Sequence, residues 1–257
     1  MLTLETIGLI AAMPQESSAL LRLIARWKRT ALGSFRGVRF QLKDRNCVMV
    51  TSGMGLMRAI DATRALLSIT TPDLLVSFGI AGAVADDLNI GDVVVARSTC
   101  LLEKGLPGQV RSLATLSQAA WNAASQGLQA EGACLVPGTA ITTRGSQVVL
   151  KGLVQMAHPV LEMETVGLAQ IASDMGIPLV SIRSISDGPR SPIPFDLGGI
   201  LDGNDNIRID KVIMQVLRRP QMIFQVHQLM QNSRRAADNA ARALFAVLNQ
   251  TAPIISP

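Results

Sequence analysis

Leu74-Leu75-Val76-Ser77-Phe78-Gly79-Ile80-Ala81-Gly82-Ala83-Val84-Ala85 is the most apolar stretch of the chain, and its twelve residues are too few for a membrane span, which takes about 20. Its first half, 74–79, reads as a buried β-strand. Working outward, similar short apolar runs occur at 6–12, 38–42, 47–52, 92–96, 134–141, 160–163 and 178–184, several rich in Val and Ile. Between them fall helix-patterned segments at 14–27, 56–69, 113–129, 146–156 and 165–175, the last stopped by Gly176 with Pro178 beyond it. Alternating strands and helices imply an α/β architecture with a mostly buried sheet, whose strand-end loops hold the ligand.

The composition agrees with one compact domain, or at most two tightly joined. The chain has 257 residues, 48% hydrophobic and 17% charged, which excludes a disordered protein and gives no sustained charged heptads for a coiled coil. The longest uncharged stretch, 112–130, is studded with Ser, Gln and Asn, and the amino terminus, Met-Leu-Thr-Leu-Glu, has no basic segment before its apolar run. A cytoplasmic location is therefore expected. Cys47, Cys100 and Cys134 are widely spaced, and His158 and His227 are the only histidines. This pattern provides neither a disulfide framework nor a metal cluster, and little basis for a Ser-His-Asp triad. A net charge of +5 invites a nucleic-acid reading, but the basic residues read as thinly spread, with short pairs at Arg218-Arg219 and Arg234-Arg235, and eight aromatics, none of them tyrosine, leave little to stack on bases. No nucleic-acid partner is expected; a mildly basic surface could face an anionic membrane or substrate.

After Asp187 the texture changes. Residues 188–220 contain four prolines and read as a long loop with a short helix near 208–217. A strong helix over 221–250 follows, with Met222, Val226, Leu229, Met230, Ala237, Ala240, Ala241, Leu244 and Leu248 on one face, expected to pack on the core. The organisation is thus a core of 1–187, a loop-rich insertion of 188–220 and a carboxy-terminal helix of 221–250, all one domain.

Gly53-Met54-Gly55-Leu56-Met57-Arg58 looks like a dinucleotide turn, yet Arg58 stands where close helix packing requires a small residue. The glycines could equally serve only the turn. More specific are three segments that place carboxylates directly after predicted strands: Ala12-Met13-Pro14-Gln15-Glu16, Leu161-Glu162-Met163-Glu164 and Ile182-Arg183-Ser184-Ile185-Ser186-Asp187. Asp187 alone would read as a helix cap. Three such segments with an arginine mark a cleft.

Together with Val76-Ser77-Phe78-Gly79-Ile80-Ala81-Gly82-Ala83 and Ile90-Gly91-Asp92-Val93-Val94-Val95, these segments resemble the nucleoside phosphorylase superfamily, and most the methylthioadenosine/S-adenosylhomocysteine nucleosidases. The resemblance runs in order from Ile7 to Asp187. It implies a single three-layer α/β/α domain with a central mixed sheet, and a site that breaks a purine N-glycosidic bond without cofactor or metal. By that resemblance Asp187 is the general acid for purine N7, with its pKa raised by burial. Glu16 orients and deprotonates water, with Arg183 close to that water. Glu164 accepts hydrogen bonds from the ribose hydroxyls, Met163 packs on the sugar, and Glu162 and Ser186 support. Ala140, Ile141 and Thr142 contact the base, partly through backbone groups. Members commonly form homo-oligomers, for which the segments 56–69 and Leu101-Leu102 offer an apolar contact.

The departures from the pattern bear on the reaction. Phosphorylases hold phosphate with a glycine and an arginine in the first loop and with an arginine and a hydroxyl near the Gly-x-Ala-Gly segment. This chain has Met13, Pro14 and Gln15 in that loop, Ser77 at the second arginine position and Ile80 at the hydroxyl position. Hydrolysis is the expected reaction, with phosphorolysis, or a non-catalytic nucleoside-binding module, as the alternatives. Ile80 also departs from the nucleosidases, which keep a serine there. The region beyond Asp187, with Arg218-Arg219-Pro220, looks like the hopanoid-associated branch, whose substrate is an adenosine bearing a lipid at its 5′ carbon. The open substrates are methylthioadenosine or S-adenosylhomocysteine, an adenosyl-lipid, and futalosine.

Overall fold

The computed structural model describes residues 5–103, 105–144, 153–192 and 222–256. Eleven strands and five long helices occur there: β1 Glu5–Ala11, α1 Pro14–Leu21, β2 Trp27–Leu32, β3 Phe35–Leu42, β4 Arg45–Thr51, α2 Leu56–Leu67, β5 Leu74–Ala83, β6 Val93–Glu103, β7 Leu106–Pro107, β8 Arg111–Ser112, α3 Gln118–Gln129, β9 Leu135–Thr142, β10 Pro159–Glu162, α4 Thr165–Met175, β11 Leu179–Asp187 and α5 Met222–Asn249. The short helix expected near 208–217 lies outside the described residues, as does most of the one expected at 146–156, whose described end is a single 3-10 turn, Leu153–Gln155.

The sheet runs β10-β9-β6-β11-β5-β1-β4-β3-β2, with β7 and β8 short additions to β6. Strands β4, β1, β5 and β11 are parallel, while β6 meets β11 antiparallel, so the sheet is mixed. At one end it closes. β10 also pairs with β5 through Val160↔Ala83 and Leu161↔Gly82, making a ring of five strands that brings Glu162 close to the end of β5.

Alternate residues of the central strands feed two cores. Ile7 and Leu9 of β1 with Val76 and Phe78 of β5 face α1, α3 and α5, whereas Ile10 and Leu75 face α2 and α4. This period of two, buried on both faces, is the physical basis of the three layers.

Several element boundaries differ from the sequence reading, among them the following. The first helix stops at Leu21, and Trp27–Leu32 is a strand paired to β3; as an edge strand with most side chains in solvent it carries no apolar alternation to signal it. Helix α3 begins at Gln118, where the Ser117 hydroxyl accepts the Ala120 N–H at 3.2 Å, while 113–116 is extended. The expected stripe of α5 is core only in its second half. Ala237, Ala240, Ala241, Leu244 and Leu248 are buried, Val226 and Leu229 are half-buried, and Met230 is 62% exposed. The alanines let the helix lie close against β11 and β5.

Candidate active site

The C-terminal ends of β1, β5 and β11 lie side by side, and each delivers or receives a carboxylate. Glu16 stands in the first turn of α1, where its Oε2 accepts the Met13 N–H at 2.7 Å. That bond alone would be an ordinary helix cap. Its Oε1, however, reaches across to accept the Ile80 N–H of β5 at 2.9 Å. Glu16 is 2% exposed, and burial raises its pKa against the opposing effect of these N–H groups and of Arg183.

Gly79 and Gly82 explain how so much carboxylate fits beside β5. A Cβ on Gly79 would overlap Glu16 Oε1 and stand 2.6 Å from its carboxyl carbon, and one on Gly82 would stand 2.6 Å from Asp187 Oδ2. Both glycines are the space the acids occupy.

Glu162 ends β10 and is the hub of a buried network. Its Oε2 accepts the Glu164 and Thr165 N–H groups at 3.0 and 2.8 Å, the Thr165 hydroxyl at 2.7 Å and Arg183 Nη2 at 2.9 Å. Its Oε1 accepts the Thr142 hydroxyl. Burial opposes its ionisation, but Arg183 and these donors outweigh burial and hold its pKa below the ordinary value. Glu162 is thus the ionised partner of Arg183 and the cap of α4. Arg183 Nη2 also donates to Ser77 Oγ at 2.6 Å and Thr165 Oγ1 at 3.0 Å. Its Nε has no hydrogen-bond partner among the described residues.

Glu164 begins α4 and points across to the start of α2, where its Oε1 accepts the Gly55 N–H at 2.9 Å; its Oε2 accepts the Met163 N–H at 3.3 Å. Burial and the neighbouring Glu162 charge push its pKa up to about 7. The Gly53-Met54-Gly55 turn therefore serves this carboxylate: Gly55 has φ 99° and spends its N–H on Glu164. Met163 is half-buried beside it.

Asp187 is the last residue of β11. Its Oδ1 accepts the Ser186 hydroxyl at 2.6 Å, and burial raises its pKa against that bond. It borders a cavity of ≈ 100 Å³ with Leu88, Ile90, Gly188 and Arg190 among the lining residues.

Glu16, Glu162, Glu164, Arg183, Ser186 and Asp187 are therefore brought together. Glu16, Glu162 and Glu164 share one buried arginine, and burial raises the pKa of Glu16, Glu164 and Asp187 while Arg183 keeps that of Glu162 low. Ile80 enters through its main-chain N–H while its half-buried side chain packs against the α1, α3 and α5 core. Ala140, Ile141 and Thr142, expected at the base, lie on β9 beside this cluster. All three are fully buried, β9 is paired on one side with β6 and on the other with β10, and the Thr142 hydroxyl is committed to Glu162 and the Val166 N–H. The Thr142 hydroxyl thus braces Glu162 and the start of α4. Ser77, Thr165 and the Met13 and Gly55 N–H groups were not anticipated as site residues.

Comparison with known proteins follows this geometry. A family profile described as "Phosphorylase superfamily" matches residues 6–219. The 5′-methylthioadenosine/S-adenosylhomocysteine nucleosidase of Haemophilus influenzae (strain PittEE) is 29% identical over 198 residues, covering 71% of this chain and 86% of that protein. The Shewanella sediminis nucleosidase of the same name is 27% identical over 219 residues, 74% and 90% of the two chains. Among solved structures, the nucleosidase of Colwellia psychrerythraea 34H in complex with adenine superposes with a TM-score of 0.70 at 21% identity, covering 95% of this chain and 94% of that one. The futalosine hydrolase of Helicobacter pylori gives 0.67 at 16% identity, with 95% and 97% covered.

Proposed function

Since this chain belongs to the phosphorylase superfamily, we propose that it is a purine nucleosidase that hydrolyses the N-glycosidic bond of a 5′-substituted adenine nucleoside and releases adenine. Water is the acceptor in this reading. One observation carries that choice: the Met13 and Ile80 N–H groups, the donors a bound phosphate would need beside the first loop, are both taken by Glu16. Arg183 is likewise turned into the Glu162, Ser77 and Thr165 network. An entering phosphate would meet carboxylate instead of donors.

The chemistry follows from the placement of charge. As C1′–N9 breaks, electrons flow into the base and the sugar becomes oxocarbenium-like. Asp187, whose pKa burial raises, gives its proton to N7 so that adenine leaves neutral. Ionised Glu164 accepts the ribose hydroxyls and stabilises the cation. Water adds its oxygen to C1′ and passes a proton to Glu16, completing adenine and a free ribose derivative. Arg183 and Glu162 position this set, Met163 packs against the sugar, and Ser186 orients Asp187.

The nucleosidase relatives support a methylthio or homocysteinyl 5′ group. An adenosyl-lipid, as in the hopanoid-associated branch, rests on the texture of 188–220. Homo-oligomers through 56–69, where Met57 is exposed, and the Leu101-Leu102 segment, a cytoplasmic location and peripheral contact with a membrane complete the reading. Among the described residues no helix is long and apolar enough to cross one.

Release of the free purine (adenine from methylthioadenosine, S-adenosylhomocysteine and a lipid-substituted adenosine, hypoxanthine from futalosine), with and without phosphate, tests the proposal. Free ribose derivative at equal rates in both conditions is expected. Asp187→Asn should lower kcat by about a thousandfold. Strict phosphate dependence with ribose 1-phosphate as product would establish a phosphorylase, and no release from any substrate would leave a nucleoside-binding module.

A further inference from the structure

The positive charge of this protein is concentrated in one hairpin. Between Arg26 and Lys43 stand Arg26, Lys28, Arg29, Arg36, Arg39 and Lys43, with no carboxylate, leaving eighteen cations and nineteen acids for the rest of the chain. The whole excess of +5 is thus more than accounted for by β2, β3 and their flanks. All six cations are exposed, and among the described residues none takes part in an ion pair.

The hairpin lies at the free edge of the sheet, β2 being the terminal strand. Lys28 stands directly opposite Arg39 across the ladder, a like-charge pair that weakens the hairpin unless an anion is near. Beside them an open groove of ≈ 1040 Å³ is lined by Arg26, Trp27, Lys28, Arg29 and Arg39 together with Thr6 and Thr70. Thr6 and Thr70 lie at the starting ends of β1 and β5, so the groove is at the opposite end of the sheet from Glu16 and Asp187. Trp27 is 41% exposed at its rim.

We infer that the β2–β3 hairpin docks the protein on an anionic phospholipid surface, with the cations over the headgroups and the Trp27 indole at their level. This rests on the membrane contact proposed above but not on the reaction. A diffuse negative plane attracts cations displayed on both faces of a thin hairpin without a geometric fit, and an indole prefers the interface. A nucleic-acid strand calls for successive stacking platforms, and Trp27 is the only exposed aromatic ring in the hairpin, Phe40 being buried and Phe35 half-buried. Docking at this edge leaves the carboxylate cluster at the other end free to turn over nucleoside.

Sedimentation of the full chain with phosphatidylcholine vesicles containing phosphatidylglycerol, against phosphatidylcholine alone, tests the inference. Binding only to the anionic vesicles, weakening steeply with salt, is expected. The triple variant Lys28→Gln/Arg29→Gln/Arg39→Gln should lose about a hundredfold in partitioning, unfold at a midpoint no lower than that of the unaltered protein, since the facing Lys28 and Arg39 charges are gone, and release adenine in solution at the unaltered rate. Trp27→Ala should weaken binding further without changing its salt dependence. Equal partitioning of the triple variant, absence of binding by the unaltered protein, or displacement from vesicles by a stacking-competent oligonucleotide but not by polyphosphate of equal charge would overturn it. Failure of adenine release with vesicle binding intact would instead count against the proposed reaction alone.

Discussion

At the residue scale, the cluster is an exercise in unequal sharing of one cation. Glu162 has Arg183, two hydroxyls and two backbone N–H groups. Glu164, two residues along, has burial, a charged neighbour and two N–H donors, and its pKa rises from 4.5 to about 7. The native state therefore holds a proton that the unfolded chain has released between those values. Stability of the ligand-free protein should be lost as pH rises from about 4.5 to about 7, and the raised values of Glu16 and Asp187 act in the same direction. Glu162, whose value is lowered, opposes this only at more acid pH. Urea midpoints measured across this window should fall with pH, and Glu164→Gln should flatten the decline; an unchanged slope in that variant would place the titration elsewhere. The sequence disclosed the acids, but not which would be ionised, because that depends on which one meets Arg183.

At the element scale, the Gly79-Ile80-Ala81-Gly82 end of β5 works as a surface with two missing side chains. Gly82→Ala would push a methyl group to 2.6 Å from Asp187 Oδ2, and Asp187 must yield because β5 is held on both sides by β1 and β11. We expect kcat to fall by about a hundredfold or more, as for misplacement of a reacting group by an ångström, while binding of a nucleoside analogue falls less than tenfold. Calorimetric titration beside a turnover assay separates the two; parallel losses would mean that Asp187 only shapes the pocket. Strand and helix order was legible from the alternation of short apolar runs with helical patterns, and 165–175 was read to the residue. β2 was not, since an edge strand in solvent has no buried face to leave a pattern. Nor was the full length of β6, whose run is broken at Arg97 by a bulge between Ala96 and Ser98.

At the scale of the whole molecule, two closures hold the site. The ring made by β10 returning to β5 brings Glu162 to the ends of β5 and β11. The second closure is the carboxy-terminal helix, which packs across β11 and β5 and is fastened by Arg45. That side chain, 4% exposed, donates to the carbonyls of Leu248 at 3.0 Å and Ala252 at 2.8 Å and to that of Gln250, while pairing with Glu5 at 2.9 Å. It supplies the donors that the last turn of α5 lacks. Arg45→Met should cost about 2–4 kcal/mol in denaturant unfolding and leave the pH dependence of turnover unaltered. A change in that pH profile would mean that α5 also sets the site's electrostatics.

The sequence alone determined the α/β class, the single domain, the family resemblance and the acids that the fold gathers, because each leaves a local record in period, punctuation or a short motif. It did not determine the roles of Ala140, Ile141 and Thr142, the pairing of Arg183 with Glu162, or the use of Gly55, Met13 and Ile80 as donors. Those are contacts between residues far apart in the chain, which sheet order and closure alone bring together, and a backbone N–H carries no trace in the sequence of the side chain it will meet. The basic residues read along the chain as thinly spread, although 26–43 holds six cations and no acid. That it forms one exposed edge, opposite the site, was decided by the placement of β2 as the last strand of the sheet.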